Sequence, residues 1–165
     1  MKYAITGHTE GIGKRAFERL NARGFSRNNG YDITVQEDRK RIIRDSHDCD
    51  VFINSAHSGF ASTYLLFELY NAWKDFPNKT IVNVGSRIVE SRLLKDKKYL
   101  LEYQAEKIAL KEAVTRINLL EPQCGVKYCR FGYVGTEKIL NKYPHFTERD
   151  YITTDQAVDI ILSSI

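Results

Sequence analysis

The chain has 165 residues, 42% of them hydrophobic and 28% charged, a composition that suits one domain with its own core and excludes a disordered chain. Its formal net charge of +4 is modest, and no run of Lys and Arg is long enough to argue for nucleic acid. The apolar runs are too short to span a membrane, the N-terminus does not read as a signal peptide, and no spacing of His and Cys suggests a metal site. The odd set Cys49, Cys124 and Cys129 reads as reduced thiols, which points to a cytoplasmic protein.

Strand-length apolar runs alternate with helix-period segments. Tyr3-Ile5 reads as a strand, followed by the turn TGHTEGIG and a helix over Gly11-Leu20 with Ile12, Ala16, Phe17 and Leu20 on one face. Gly24-Gly30 is loop-like, with at most a rudimentary strand before it. Gln36-Asp45 reads as an amphipathic helix whose cations Arg39, Lys40, Arg41 and Arg44 form a solvated face. Val51-Asn54 reads as a strand, and Thr63-Lys74 as a helix apolar nearly all round, hence covered on more than one side. Thr80-Val84 is an apolar strand, Tyr99-Glu121 a long helix ending before Pro122, Val126-Phe131 a strand and Asp155-Ser163 a last helix. This alternation predicts an α/β fold over residues 1–165. It is a single Rossmann-type doubly wound parallel sheet of about five strands, with helices on both faces.

The turn after the first strand spends three glycines on eight residues. Glycine permits a tight turn and a close approach of phosphate, and the following helix offers unpaired N–H groups to an anion. A tight turn with no ligand would use the same residues. Tyr103 and Lys107 stand four apart on the long helix, so both lie on one face, where an ammonium can stabilise a phenolate.

Five segments in order resemble the short-chain dehydrogenase/reductase family. They are Thr6-Gly7-x-x-x-Gly11-Ile12-Gly13, the strand end DVFINSAH, the strand IVNVGS ending in Ser86, YQAEK, and FGYVGT with Phe131 in place of a proline. The resemblance implies an NAD(P)(H)-dependent oxidoreductase interconverting a carbonyl and an alcohol by hydride transfer. It implies Tyr103 as acid/base, Lys107 as the group that lowers its pKa, and Ser86, with Ser91 as rival, as the group that positions the substrate. Thr6, Gly7, Gly11, Ile12 and Gly13 would meet the pyrophosphate side of the cofactor. Asn54, Ala56 and His57 would border the adenine ribose and the middle of the cofactor. Tyr103 and Lys107 would reach the nicotinamide ribose, and Val134 and Thr136 the carboxamide.

For the choice of cofactor, counting about twenty residues past the glycines reaches Asp32, which would favour NAD. The family comparison instead places Ser26 and Arg27 at a 2′-phosphate and Asp32-Ile33 at adenine. NADP is preferred, NAD remains possible, and Glu10 opposes the added phosphate. The family's catalytic asparagine has no match here, since Asn71 is too far along its helix. A weak or inactive NAD(P)H-binding sensor module is the alternative. The chain is short for the family, and the polar segment Glu137-Asp150 would form an open or mobile cover. Helices 63–74 and 99–121 would build a homodimer or homotetramer.

Overall fold

A computed structural model describes residues 1–92 and 95–165. Strands β1 (Tyr3–Thr6), β2 (Arg23–Phe25), β3 (Val51–Asn54), β4 (Thr80–Ser86) and β5 (Gly125–Phe131) form one parallel sheet in the order β2-β1-β3-β4-β5. Around it lie α1 (Gly11–Leu20), α2 (Gln36–Asp45), α3 (Ala61–Trp73), α4 (Leu101–Asn118), α5 (Glu137–Lys142) and α6 (Thr154–Leu162). Single 3-10 turns occupy Arg27–Asn29 and Arg87–Glu90, and two more, separated by a kink at Lys97, occupy Lys95–Leu100.

The period-two pattern of the strands sorts their side chains between two cores. Ala4, Phe52, Ile81 and Val126 join Ile42 of α2, Leu65, Leu66, Leu69 and Trp73 of α3, and Leu110 and Val114 of α4. Ile5, Val51, Ile53, Val82 and Cys129 face the other way, with Ala16 of α1 and Ala157, Val158 and Ile161 of α6. Arg15 and Arg19 of α1 clamp this second face shut by pairing with Asp155 and Asp159 of α6, at 2.8 and 2.8 Å for the shortest contacts.

The order of strands reverses between β1 and β3, which pair directly in register Tyr3 with Val51 through Thr6 with Asn54. In an open α/β sheet this switch point opens a crevice at the C-terminal strand ends. The glycine turn emerges at that spot, so topology alone puts the cavity over it.

Several local expectations change. The extended segment before the loop is a true edge strand, since Arg23 to Phe25 pair with Ala4 to Thr6. The long helix begins at Leu101, because residues 95–100 form tighter 3-10 turns broken by a kink at Lys97, and it stops at Asn118, short of Glu121, whose φ of 51° is left-handed. Arg39 is not part of a solvated face. It is buried, its guanidinium holding Glu68 of α3 at 3.0 Å and the Ile33 carbonyl at 2.9 Å. The apolar circumference of α3 is only half covered: Leu65, Leu66 and Leu69 are buried, while Tyr64 and Phe67 are exposed. Residues 137–150 carry α5, capped by Thr136, and an aromatic cluster of Tyr133, Tyr143 and Phe146 with ring centroids 4.8 to 5.4 Å apart.

Candidate nucleotide-binding and catalytic site

A cavity of about 1070 Å³ runs across the C-terminal ends of the strands, from Arg27 past the glycine turn to Tyr103 and α5. Its floor is the β1–α1 turn. Gly7 has φ +73°, and a Cβ there would come within 2.9 Å of the Ala56 backbone. A Cβ on Gly13 would stand 2.1 Å from the Gly7 carbonyl oxygen, so α1 can close on the turn only without one. Two glycines are therefore demanded by packing of turn, helix and the β3 end on one another. The result leaves the first turn of α1 open to the cavity, since the residue before it, Glu10, makes no side-chain cap. Uncapped N–H groups at a helix start, with no side chain in front of them, fit the diphosphate of a dinucleotide.

The end of the cavity that holds the candidate Ser–Tyr–Lys residues is assembled from β4 and α4. Ser86 closes β4, and two contacts fix its position. Its N–H donates to the Tyr128 hydroxyl at 3.3 Å, and its Oγ accepts from the Ile88 N–H at 3.2 Å. Gln104 then ties the following turn to α4, donating to the Ile88 and Ser91 carbonyls at 2.7 Å each. Ser86 lines the cavity together with Tyr103 and Lys107, whereas Ser91 does not. Tyr128 was not legible as a site residue. The signal was Gly85 in the middle of an apolar strand, since the Tyr128 ring lies where a Cβ of Gly85 would be.

The Lys107 ammonium is buried and donates to the Val84 carbonyl at 3.1 Å, with its Nζ 5.8 Å from the Tyr103 ring centre. Burial lowers its pKa to about 8, against the opposing charge of Glu106. Burial raises the Tyr103 pKa; the nearby Ser86 hydroxyl opposes this and Glu106 adds to it. The direction is opposite to the one the Tyr–Lys spacing suggests, because the ammonium is turned to a backbone carbonyl and desolvation dominates the phenol.

Glu106 and His57 form the feature that sequence reasoning missed. Glu106 is buried, and its Oε2 lies 2.9 Å from His57 Nε2. The His57 ring meets the Tyr103 ring edge to face at 5.0 Å between centroids. His57 thus lines the cavity beside Tyr103. The available signal was helical spacing, which puts positions 103, 106, 107 and 110 on one face.

The other expected residues divide clearly. Gly7, Gly11, Ile12, Gly13, Ser26, Arg27, Asp32, Ile33, Ala56, Val134 and Thr136 all line the cavity. Thr6 and Asn54 do not line it; both are buried behind it. The Thr6 hydroxyl accepts from the Ser55 and Ala56 N–H groups at 3.2 Å, and the Asn54 amide donates to the Ser62 carbonyl at 2.8 Å and Asn83 at 3.0 Å. Ser26 is committed locally, its hydroxyl and N–H both engaged with Asn29. Asp32 accepts from the N–H and hydroxyl of Thr34 at 2.9 and 2.8 Å, which together with the Arg27 charge keeps its carboxyl below the usual range.

A structure of a small-chain dehydrogenase in complex with NADPH matches with a TM-score of 0.78 at 14% identity, over 99% of this chain and 90% of that one. The fold is that of the short-chain dehydrogenases/reductases. A short-chain dehydrogenase from Sphingobium yanoikuyae in complex with NADPH is similar over 99% of this chain and 84% of its own, with a TM-score of 0.69 and 16% identity. A 7α-hydroxysteroid dehydrogenase complexed with NADH and a bile-acid derivative is similar over 98% and 86%, with a TM-score of 0.70 and 17% identity. No family model matches the sequence, and no curated protein is significantly similar to it. Among the described residues no helix is long and apolar enough to cross a membrane.

Proposed function

We propose that the protein is an NAD(P)(H)-dependent oxidoreductase that interconverts a carbonyl and an alcohol. The observation that carries this reading is the meeting of Ser86, Tyr103 and Lys107 at one end of a cavity whose floor is an uncapped, glycine-walled helix start. A bound nicotinamide cofactor would supply or accept the hydride. The chain's own part is orientation and proton transfer. The Ser86 hydroxyl and the Tyr103 phenol would hydrogen-bond the same substrate oxygen, and Tyr103 would give that oxygen its proton in reduction. Lys107, already charged below about pH 8, would hold the ribose and favour the phenolate left behind.

NADP is the preferred cofactor. Arg27 lines the far end of the cavity and makes no ion pair among the described residues, so its guanidinium is available to a 2′-phosphate. The whole chain would act as one nucleotide-binding unit in the cytoplasm. Exposed Tyr64 and Phe67 on α3 and Ile108 on α4 would be covered in a homodimer or homotetramer, which sedimentation at micromolar concentration tests.

A second reading, a binding module with little or no turnover, is favoured by one observation. Asn71, the asparagine on α3, is exposed and does not line the cavity. Titration with NADPH and NADH followed by a panel of carbonyl substrates separates the two. Binding without turnover selects the module, and the absence of binding removes both.

A further inference from the structure

Ser86 and Tyr103 come from different elements, β4 and α4, and the described residues that join them wind only as short 3-10 turns before α4 begins. For both side chains to meet one substrate oxygen, the end of β4 must be held tightly against α4. Lys107 supplies one tie, to the Val84 carbonyl at 3.1 Å, but that bond meets the strand before Ser86 and does not touch the serine side chain. The side chain is engaged by the Ile88 N–H, which donates to Ser86 Oγ at 3.2 Å. With that N–H on its oxygen, the hydroxyl keeps its own hydrogen for the cavity it lines.

Gln104, next to Tyr103 on α4, holds Ile88 by its other backbone group. Its Nε2 donates to the Ile88 carbonyl and to the Ser91 carbonyl, at 2.7 Å each. An amide nitrogen carries two hydrogens, so both are used here, and the reversed amide would set an oxygen against two carbonyl oxygens. The other tie between α4 and this turn, Lys111 to Glu90, is an exposed ion pair at 3.8 Å. Gln104 is half-buried and stands outside the cavity lining, so it does not itself touch a substrate. One peptide residue, Ile88, thus connects the helix that carries Tyr103 to the oxygen of Ser86.

We infer that Gln104 is a positioning residue: by gripping the Ile88 carbonyl it keeps the Ile88 N–H on Ser86 Oγ, and so aims the Ser86 hydroxyl at the substrate oxygen that Tyr103 serves. The inference rests on the oxidoreductase reading and adds to it a residue that lies outside the cavity.

The test is a double-mutant cycle of Gln104→Met, which keeps the length of the side chain and removes both donors, with Ser86→Ala. It is read as the rate of NADPH oxidation with hydroxyacetone, butanone or benzaldehyde, with enzyme in excess over NADPH so that slow variants still give a reading. Gln104→Met should slow the wild type roughly tenfold while NADPH affinity stays within a few fold. In the Ser86→Ala background the same substitution should change the rate by less than about twofold, because the group it aims has gone. A merely structural loss would lower both backgrounds alike. Equal losses in the two backgrounds, no loss in the wild type, or a loss of NADPH affinity in place of rate each overturn the inference. Gln104→Glu, of the same shape but with an oxygen against the two carbonyls, should repeat the pattern in the same cycle. Amide hydrogen exchange followed by NMR gives a reading that needs no turnover. In Gln104→Met the Ile88 amide should exchange about tenfold faster while the Ile81 amide, in the middle of the sheet, keeps its rate. An unchanged Ile88 amide, or both amides faster together, also overturns it. Absence of turnover in the wild type with every carbonyl compound would defeat the oxidoreductase reading, leaving amide exchange to decide whether Gln104 holds Ser86.

Discussion

Lys107 donates its hydrogen bond to the Val84 carbonyl, 3.1 Å away, and not to Tyr103, four residues before it on the same helix face. Burial takes the pKa of the ammonium down to about 8. The site therefore holds its cation only below moderately alkaline pH. NADPH affinity and turnover should both fall as pH rises through about 8, which fluorescence titration and steady-state rates across pH 6 to 9.5 would record. The stability effect has the opposite sign. Between about 8 and the ordinary lysine value the unfolded chain binds more protons than the folded one, so this group's contribution to stability rises with pH in that window.

Gly13 is predicted to tolerate no side chain. A Cβ would meet the Gly7 carbonyl oxygen at 2.1 Å and its carbon at 2.9 Å, and both of those are backbone atoms rather than the end of a flexible side chain. Gly13→Ala should cost about 1–3 kcal/mol in chemical denaturation, as overpacking does, and should weaken NADPH binding at least about tenfold because the α1 start moves.

Arg27 should distinguish the two cofactors. Arg27→Ala is expected to weaken NADPH binding about tenfold or more and to leave NADH binding nearly unchanged, since only the former carries the 2′-phosphate. Calorimetric titration with each cofactor measures this, and equal effects on both would remove the NADP assignment.

Tyr128 should act through Ser86. Its hydroxyl accepts the Ser86 N–H at 3.3 Å while its ring fills the space left by Gly85. Tyr128→Phe keeps the ring and removes the acceptor, leaving that N–H unpaired. The expected loss is about 1 kcal/mol of stability together with a severalfold lower kcat at unchanged NADPH affinity.

The sheet and the glycine turn were readable because local signals agree there with the global fold. Strands such as Val51–Asn54 alternate between two faces that both need apolar residues, and helix Gln36–Asp45 carries its own period. Features that depend on meetings between distant segments were not. Arg39 reads as one more surface cation until α3 brings Glu68 against it. Asn54 matches the family pattern at a position where the fold turns its amide inward to Ser62 and Asn83. The edge strand β2 was blurred by Gly24, which sits where the His8 ring packs and so has no side chain to mark the strand. Glu106 shared a helix face with Tyr103 and Lys107, but its neighbour His57 comes from the turn after β3, about fifty residues earlier in the chain.

The most direct test of the central claim is hydride transfer by the wild type and Tyr103→Phe, followed through NADPH absorbance over a carbonyl panel that includes hydroxyacetone. The wild type should oxidise NADPH with at least one substrate. The variant should lose about a hundredfold or more in kcat while binding NADPH within a few fold, because only the proton donor has gone. Turnover in Tyr103→Phe equal to that of the wild type, or a wild type that binds no nicotinamide cofactor, would contradict it.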